Sequence, residues 1–437
     1  MAGEVRHFGT LFAESTRNGL TRPKAVRGSG IKMVNMGELF AYPRLRDAPM
    51  DRVPLSDSEA ERFLLADGDL LFARQSLVLE GAGKCSIFLH DAEPVTFESH
   101  VTRVRLDPNE GDPPFYFYYL QSHHGRAAIR SIVEQGAGAS GIRGSDLQSL
   151  NVQWRPIQEQ RAIAHILGTL DDKIELNRQM NETLEAMARA LFSSWFVDFD
   201  PVRAKAEGRD PGLPKPFADL FPDSLEDSEL GEIPKAWEVK KLSEVCSTQY
   251  GYTASAVPEP VGPKFIRVTD INKRNWIEWA NVPHCQIDAE ARAAYALQVG
   301  DIVVARMADP GKSAIIEEEI DAVFASYLVR LKTKSLAYSY YVYGFLKSDL
   351  YLDYAEGAKS GSVQANMNAK VIVDADMVVP SSLVIDRFLG AVLPLRKRLT
   401  ANVREAHTLA ALRDTLLPKL ISGELRVKDA ERVLDIV

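Results

Sequence analysis

Residues 157–196 read IQEQRAIAHILGTLDDKIELNRQMNETLEAMARALFSSWF. The stretch has no proline and a single glycine, and Ala, Leu, Glu, Arg and Met dominate it. It therefore predicts one long helix, about 60 Å at 1.5 Å per residue. Ile163, Leu167, Leu170, Ile174, Asn177, Asn181, Leu184, Ala188, Leu191 and Trp195 recur at alternating steps of four and three, which is the heptad seam of a coiled coil. The same seam returns 225 residues later as Phe388, Val392, Leu395, Leu399, Asn402, Ala406, Leu409, Leu416 and Leu420, with Arg413 at the position of Ala188. The two helices are expected to pair antiparallel within the chain, close enough for cysteines at Leu184 and Leu409 to crosslink. Asn177 and Asn402 hold the same seam position, and a buried Asn that meets a polar partner can fix register. Pro394 lies inside the second run and predicts a bend there or a later helix start.

What precedes each helix is also duplicated, at an offset of about 230 residues. Gly19 matches Gly251, and Ile31-Lys32-Met33-Val34-Asn35 matches Ile266-Arg267-Val268-Thr269-Asp270. Asp67-Gly68-Asp69-Leu70-Leu71-Phe72-Ala73-Arg74 matches Val299-Gly300-Asp301-Ile302-Val303-Val304-Ala305-Arg306, and Gly83-Lys84 matches Gly311-Lys312. Tyr119-Leu120-Gln121-Ser122 and the Gly/Ser-rich run 136–141 have counterparts at 345–348 and 357–362. A period this long indicates a duplicated domain, since solenoid units run about 20–50 residues. Short runs rich in Val, Ile, Phe and Tyr, broken by Gly, Pro and Asp, make each copy strand-rich. The expected fold is α+β: strand-rich domains at 1–156 and 237–381, long helices at 157–199 and 382–425, an acidic Pro-rich connector at 200–236, and a tail at 426–437.

The 437 residues carry 52 Lys+Arg against 60 Asp+Glu, a net charge of -8. The middle segment, 157–236, holds 16 acidic against nine basic residues, so most of the excess acid lies outside the two strand-rich regions. The overall charge thus leaves a nucleic-acid partner open. No apolar run approaches the roughly 18 residues of a membrane span. The first residues, MAGEVRHFGTLFAEST, lack a signal-peptide core, which predicts a cytoplasmic chain. Cys85, Cys246 and Cys285 are odd in number and without CxxC spacing, which argues against a disulfide framework or a zinc site.

Several motifs suggest catalysis without supporting it. Asp112-Pro113-Pro114-Phe115 resembles the tetrapeptide of amino-group DNA methyltransferases, but no glycine-rich turn for S-adenosylmethionine accompanies it, and a turn before a helix suffices. Pro222-Asp223 with Glu238-Val239-Lys240 satisfies a permissive Mg²⁺-nuclease pattern, but the first pair lies in the connector. Gly311-Lys312-Ser313 lacks the first P-loop glycine, whose place Arg306 takes. His123-His124 has no metal or triad spacing around it and is expected to face solvent near a helix end. No catalytic or metal residue is therefore assigned. The candidate DNA contacts are Lys32, Arg74, Lys84, Arg143, Arg267, Arg306, Lys312, Lys359 and Gln364, because Arg and Gln can pair bidentately with base edges while Lys meets phosphate.

Pro156-Ile157-Gln158-Glu159-Gln160-Arg161-Ala162-Ile163 leading to Leu170-Asp171-Asp172-Lys173-Ile174-Glu175-Leu176-Asn177 resembles the specificity subunit of type I restriction-modification enzymes. Gly231-Glu232-Ile233-Pro234 through Trp237 to Leu242 is similar to the start of that family's second recognition domain. Leu416-Leu417-Pro418-Lys419-Leu420-Ile421-Ser422-Gly423-Glu424 is similar to its C-terminal conserved stretch. The resemblance covers essentially the whole chain. It implies a non-catalytic subunit in which each recognition domain reads one half of an interrupted double-stranded DNA site. It also implies that the helices set the gap and dock two methyltransferase subunits. S-adenosylmethionine, ATP and Mg²⁺ would belong to those methyltransferase subunits and to translocating nuclease (restriction) subunits. The rival readings are a fused methyltransferase or nuclease with its own active site, and a coiled-coil scaffold with no nucleic-acid role.

Overall fold

The computed structural model describes residues 4–136, 138–359 and 366–434. Its contacts divide the chain into two compact units, Met1–Ile174 with Thr408–Val437, and Glu175–His407. In the first, strands Arg17–Asn18, Val101–Val104, Leu70–Ala73, Cys85–Phe88 and Arg44–Leu45 form one sheet in that order. Leu70–Ala73 and its neighbours Val101–Val104 and Cys85–Phe88 are buried at every residue, as short continuous apolar runs predict. Ile31–Val34 pairs parallel with Val95–Phe97, and Glu4–His7 closes antiparallel on Asn151–Trp154. The helix Pro113–Gln121 packs its aromatic residues against this sheet; Asp112 caps it by accepting from the Phe115 N–H at 3.1 Å.

The second unit repeats the plan in four of the five sheet strands. Cys246–Tyr250, Leu328–Thr333, Ile302–Ala305 and Ser313–Ile315 lie in the order of their first-unit counterparts. Lys264–Ile266 pairs parallel with Ala322–Phe324, Glu238–Lys241 pairs antiparallel with Asp376–Val379, and the Tyr-rich helix Leu336–Lys347 packs on the sheet.

The long helices are Ile157–Phe196 and Ser382–Ser422. Their side-chain contacts fix an antiparallel register. In the first unit the Arg413 guanidinium donates to Asp171 at 2.5 Å. In the second, Asn177 donates to Glu405 at 3.1 Å, Asn402 donates to Asn181 at 2.9 Å, Arg396 donates to Glu185, and the Trp195 and Phe388 rings lie 6.1 Å apart. This register sets every seam position against a seam position: Ile163 with Leu420, Leu167 with Leu416, Leu170 with Arg413, Ile174 with Leu409, Asn177 with Ala406, Asn181 with Asn402, Leu184 with Leu399, Ala188 with Leu395, Leu191 with Val392, and Trp195 with Phe388. The intrachain pairing read from the heptads is thus the pairing present. The middle layers are polar, and the asparagines meet Glu405 and each other's helix, so a slip by one heptad in either direction would set Asn181 against a leucine and Asn402 against Ile174 or Ala188.

Four expectations need correction. Leu184 lies opposite Leu399, and Leu409 belongs to the layer of Ile174, so the informative crosslink is Leu184→Cys with Leu399→Cys. That pair should form a disulfide within one chain on oxidation, and Leu184→Cys with Leu409→Cys should not; gel mobility under non-reducing conditions distinguishes them. Second, Pro394 neither delays nor ends its helix, which runs unbroken from Ser382 to Ser422. The proline is exposed, so water can satisfy the carbonyl it leaves without a donor. Third, the segment 200–236 is not irregular. It forms helices Asp200–Ala206 and Lys215–Ala218 and the hairpin Leu225–Ser228 with Gly231–Pro234. Val202, Phe221 and Ile233 are buried in the core of the second unit with Trp195 and Trp237. Charge density hid these few apolar anchors. Fourth, the segment read as a tail holds the helix Val427–Leu434, with Ala430 buried in the core of the first unit.

Candidate nucleic-acid interface

In each unit the central strand delivers an arginine at the point where burial ends. Leu70–Ala73 is fully buried and Arg74 half-buried; Ile302–Ala305 is fully buried and Arg306 half-buried. The backbone around the two arginines is held by the same bonds. The Arg74 N–H donates to the His100 carbonyl at 2.8 Å, and its carbonyl accepts from the Ile142 N–H at 3.0 Å. The Arg306 N–H donates to the Tyr327 carbonyl at 2.9 Å, and its carbonyl accepts from the Met367 N–H at 2.9 Å. Gly83 and Gly311 turn back onto the preceding strand residue with φ of 72° and 90°, a region that favours glycine. A Cβ on Gly19 or Gly251 would lie 2.1 Å from a carbonyl oxygen, of Phe97 or Ala325, so the crossing chain needs glycine in both copies.

The side chains on this shared frame differ. Arg74 has no side-chain hydrogen bond or ion pair among the described residues and borders an open groove of about 280 Å³ with Gln75, Gln135, Ser140 and Arg143. Arg143 is exposed and pairs with Glu134 at 2.5 Å, a contact that solvent weakens. The Arg306 guanidinium lies 5.0 Å from the Tyr250 ring centroid, and its buried Nε has no partner among the described residues. Lys312 is exposed.

Other candidate residues have structural partners. The Lys32 ammonium donates to the buried Asp91 at 3.0 Å. Lys84 donates to the Phe40 carbonyl at 3.0 Å beneath the Phe40 ring, and burial lowers its proton affinity. Arg267 is bidentate with Asp270 across a single turn. Lys359 ends the helix Asp349–Lys359, and Gln364 lies outside the described residues.

The sequence reading missed the residues that flank the two arginines. Asn18 and His100 in the first unit stand where Tyr250 and Tyr327 stand in the second, and the two tyrosines are 43% and 56% exposed, unusually open for aromatic side chains. The signal was available for the first pair, which directly precedes the matched Gly19 and Gly251; the second is matched only by strand register, Val101 pairing with Ala73 and Leu328 with Ala305. It also missed Arg103 and Arg330, equivalent arginines that donate to the carbonyls of Leu64 and Ala296 at 3.1 and 2.8 Å and brace both sheets. Among the described residues, no group of three or more His, Cys, Asp or Glu could hold a metal ion, and no helix is long and apolar enough to cross a membrane. His123 and His124 are exposed at the start of the helix His123–Ser131. Lys240 pairs with its neighbour Glu238 on a strand.

Residues 53–186 match the family described as the type I restriction modification DNA specificity domain, from the core of the first unit into the first long helix. The specificity subunit of the type I restriction enzyme HindI of Haemophilus influenzae is 26% identical over 408 residues, 82% of this chain and 86% of that one. The chain is thus similar to type I restriction-modification specificity subunits, to the family's domain over residues 53–186 and to individual members over most of its length. The MjaIX specificity subunit of Methanocaldococcus jannaschii is likewise 26% identical, over 74% of this chain and 71% of its own. In fold, the chain is similar to the crystal structure of the S subunit of a type I restriction-modification system from M. genitalium, with a TM-score of 0.55, 17% identity and 95% of each chain covered. The duplicated frame and paired helices are therefore similar in fold to that S subunit.

Proposed function

We propose that the chain reads an interrupted double-stranded DNA site, one half with each strand-rich domain, and performs no chemistry itself. The observation that carries this reading is the identical backbone frame that presents Arg74 and Arg306, surrounded by side chains that differ between the copies. A constant frame with changed side chains suits two readers of different sequences. Arg74, Arg143, Arg306 and Lys312 are the first candidates for contact, with Tyr250 and Tyr327 beside them. Two methyltransferase subunits would dock on the helices and supply S-adenosylmethionine and adenine methylation, and restriction subunits would add ATP- and Mg²⁺-dependent translocation and cleavage, in the cytoplasm. Because the acid excess of 157–236 adds no grip on phosphate, the isolated chain should bind DNA weakly and lose affinity steeply with salt.

The paired helices would act as the ruler between half-sites. Because their layers interlock, the ruler must be cut on both sides: deleting 177–183 and 400–406 together removes matched layers and retains the register outside them. Seven residues span about 10 Å, or about three base pairs. Sequencing methylated sites made by the assembled complex should show both half-sites unchanged and a spacer shortened by about three base pairs. An unchanged spacer would refute the ruler, and no sequence-selective methylation by the intact complex would refute DNA reading itself.

A further inference from the structure

The apolar seam cannot by itself choose a partner helix. The two long helices carry the same seam at an offset of 225, so a second copy's first helix could replace this chain's second one. That pairing would set Ile163 against Trp195, Leu167 against Leu191, Ile174 against Leu184, and Asn177 against Asn181. Each layer is as well matched as the native one.

The charges beside the seam are not interchangeable. Asp171 pairs with Arg413 in the first unit, and Glu185 with Arg396 in the second. Both acids lie on the first helix and both bases on the second. By the offset, Arg396 is the counterpart of Asp171. Pairing two first helices would therefore set Glu185 against Asp171 in the geometry that now holds Glu185 and Arg396. Pairing two second helices would set Arg413 against Arg396 in the geometry of Arg413 and Asp171.

We propose that these two ion pairs are a partner code, which makes each long helix select the other kind and reject its own kind on a second copy of the chain. The pairs suit this role because they are poorly hydrated: Arg396 is 2% exposed, and Arg413 and Asp171 are half-buried or better. A like-charge contact there would be screened little by salt. Exchange of unlike helices between copies leaves the charge pairs intact, and for that case the linked helix wins by its effective concentration.

The test uses the full chain with Leu167→Cys and Leu191→Cys, which face each other only when two first helices pair. With native charges, refolding from denaturant at high protein concentration should give the mass of one chain and no interchain disulfide. Asp171→Arg with Arg396→Glu exchanges the charges of equivalent positions. Glu317→Gln is added because Glu317 also pairs with Arg396. This variant should refold to the mass of two chains with the interchain disulfide formed. Asp171→Arg with Arg413→Asp restores attraction between unlike helices and should return the mass to one chain, although it equally loses the hydrogen bond from Tyr118 to Asp171. A charge-exchanged chain that folds at the mass of one chain overturns the code, as does an interchain disulfide with native charges. Should the exchanged chain fail to fold, Asp171→Arg alone decides. It turns the pair with Arg413 into a repulsion and the contact with Glu185 of a second copy into an attraction, and a folded Asp171→Arg chain of one-chain mass with no interchain disulfide also overturns the code.

Discussion

Replacing Arg396 by alanine is expected to destabilise the second unit by about 3–5 kcal/mol, the range for removing one partner of a buried ion pair. Arg396 is 2% exposed, donates to Glu185, and forks onto Glu317 at 2.8 and 2.7 Å. The Tyr340 hydroxyl donates to the same Glu317 carboxylate at 2.9 Å, and the guanidinium lies 5.4 Å from the Tyr343 ring centroid. Alanine would leave two carboxylates where water hardly reaches, and their desolvation would no longer be offset. Removing the charges together is a different experiment. Arg396→Met with Glu185→Gln and Glu317→Gln should recover most of the loss, because the charged triad roughly balances its own desolvation. Urea unfolding followed by tryptophan fluorescence suits this unit, since Trp195, Trp237, Trp276 and Trp279 lie in it and only Trp154 lies in the other. A loss under about 1 kcal/mol for Arg396→Ala would mean that the cluster is better hydrated than its burial indicates.

This cluster also marks the limit of what the sequence discloses. The seam was legible because heptad spacing is local: Ile163 to Trp195 can be read without knowing the partner, and the matched seam from Phe388 supplied one. The duplicated domain was legible because Gly68-Asp69-Leu70 and Gly300-Asp301-Ile302 keep a turn, a buried acid and a strand in one order. Ion pairs between residues 211 or 242 positions apart, such as Glu185 with Arg396 and Asp171 with Arg413, have no local signature. The same blindness hides the partners of Lys32 and Lys84. Nothing near Lys32 in sequence announces Asp91, and nothing near Lys84 announces the Phe40 carbonyl. Antiparallel register lies equally beyond spacing, which explains the mistaken choice of Leu409 to face Leu184. The connector was misread for a different reason: Val202, Phe221 and Ile233 are too sparse to show a period, yet each fills a place in the core around Trp195 and Trp237.

Lys347→Gln should stabilise the second unit at neutral pH, and the gain should vanish as the solution becomes alkaline. Lys347 is buried at the end of the helix Leu336–Lys347, where its ammonium donates to the Ser313 carbonyl at 2.7 Å and the Asn275 side chain at 3.2 Å. Among the described residues no carboxylate is bonded to it, and burial pushes it down to about 8. In the first unit the equivalent residue is Gln121, whose neutral amide donates to the Cys85 carbonyl at 3.0 Å, the counterpart of Ser313. One fold thus holds a neutral donor and a charged one in the same place, and the charged one is under strain. A lysine depressed in the folded state binds its proton more weakly than in the unfolded chain. Its penalty is complete below about pH 8, where both states are charged, and fades towards about pH 10.5, where both are neutral. At about 1.4 kcal/mol per pH unit of displacement, the full penalty is roughly 3 kcal/mol. Glutamine retains the bond to the Ser313 carbonyl and removes the charge. Unfolding curves for both chains from pH 7 to 10.5 should therefore start apart by roughly 1–3 kcal/mol and converge. A constant gap across that range would mean that the gain comes from packing, and a less stable Lys347→Gln chain at pH 7 would mean that the ammonium makes a contact stronger than its two neutral acceptors supply.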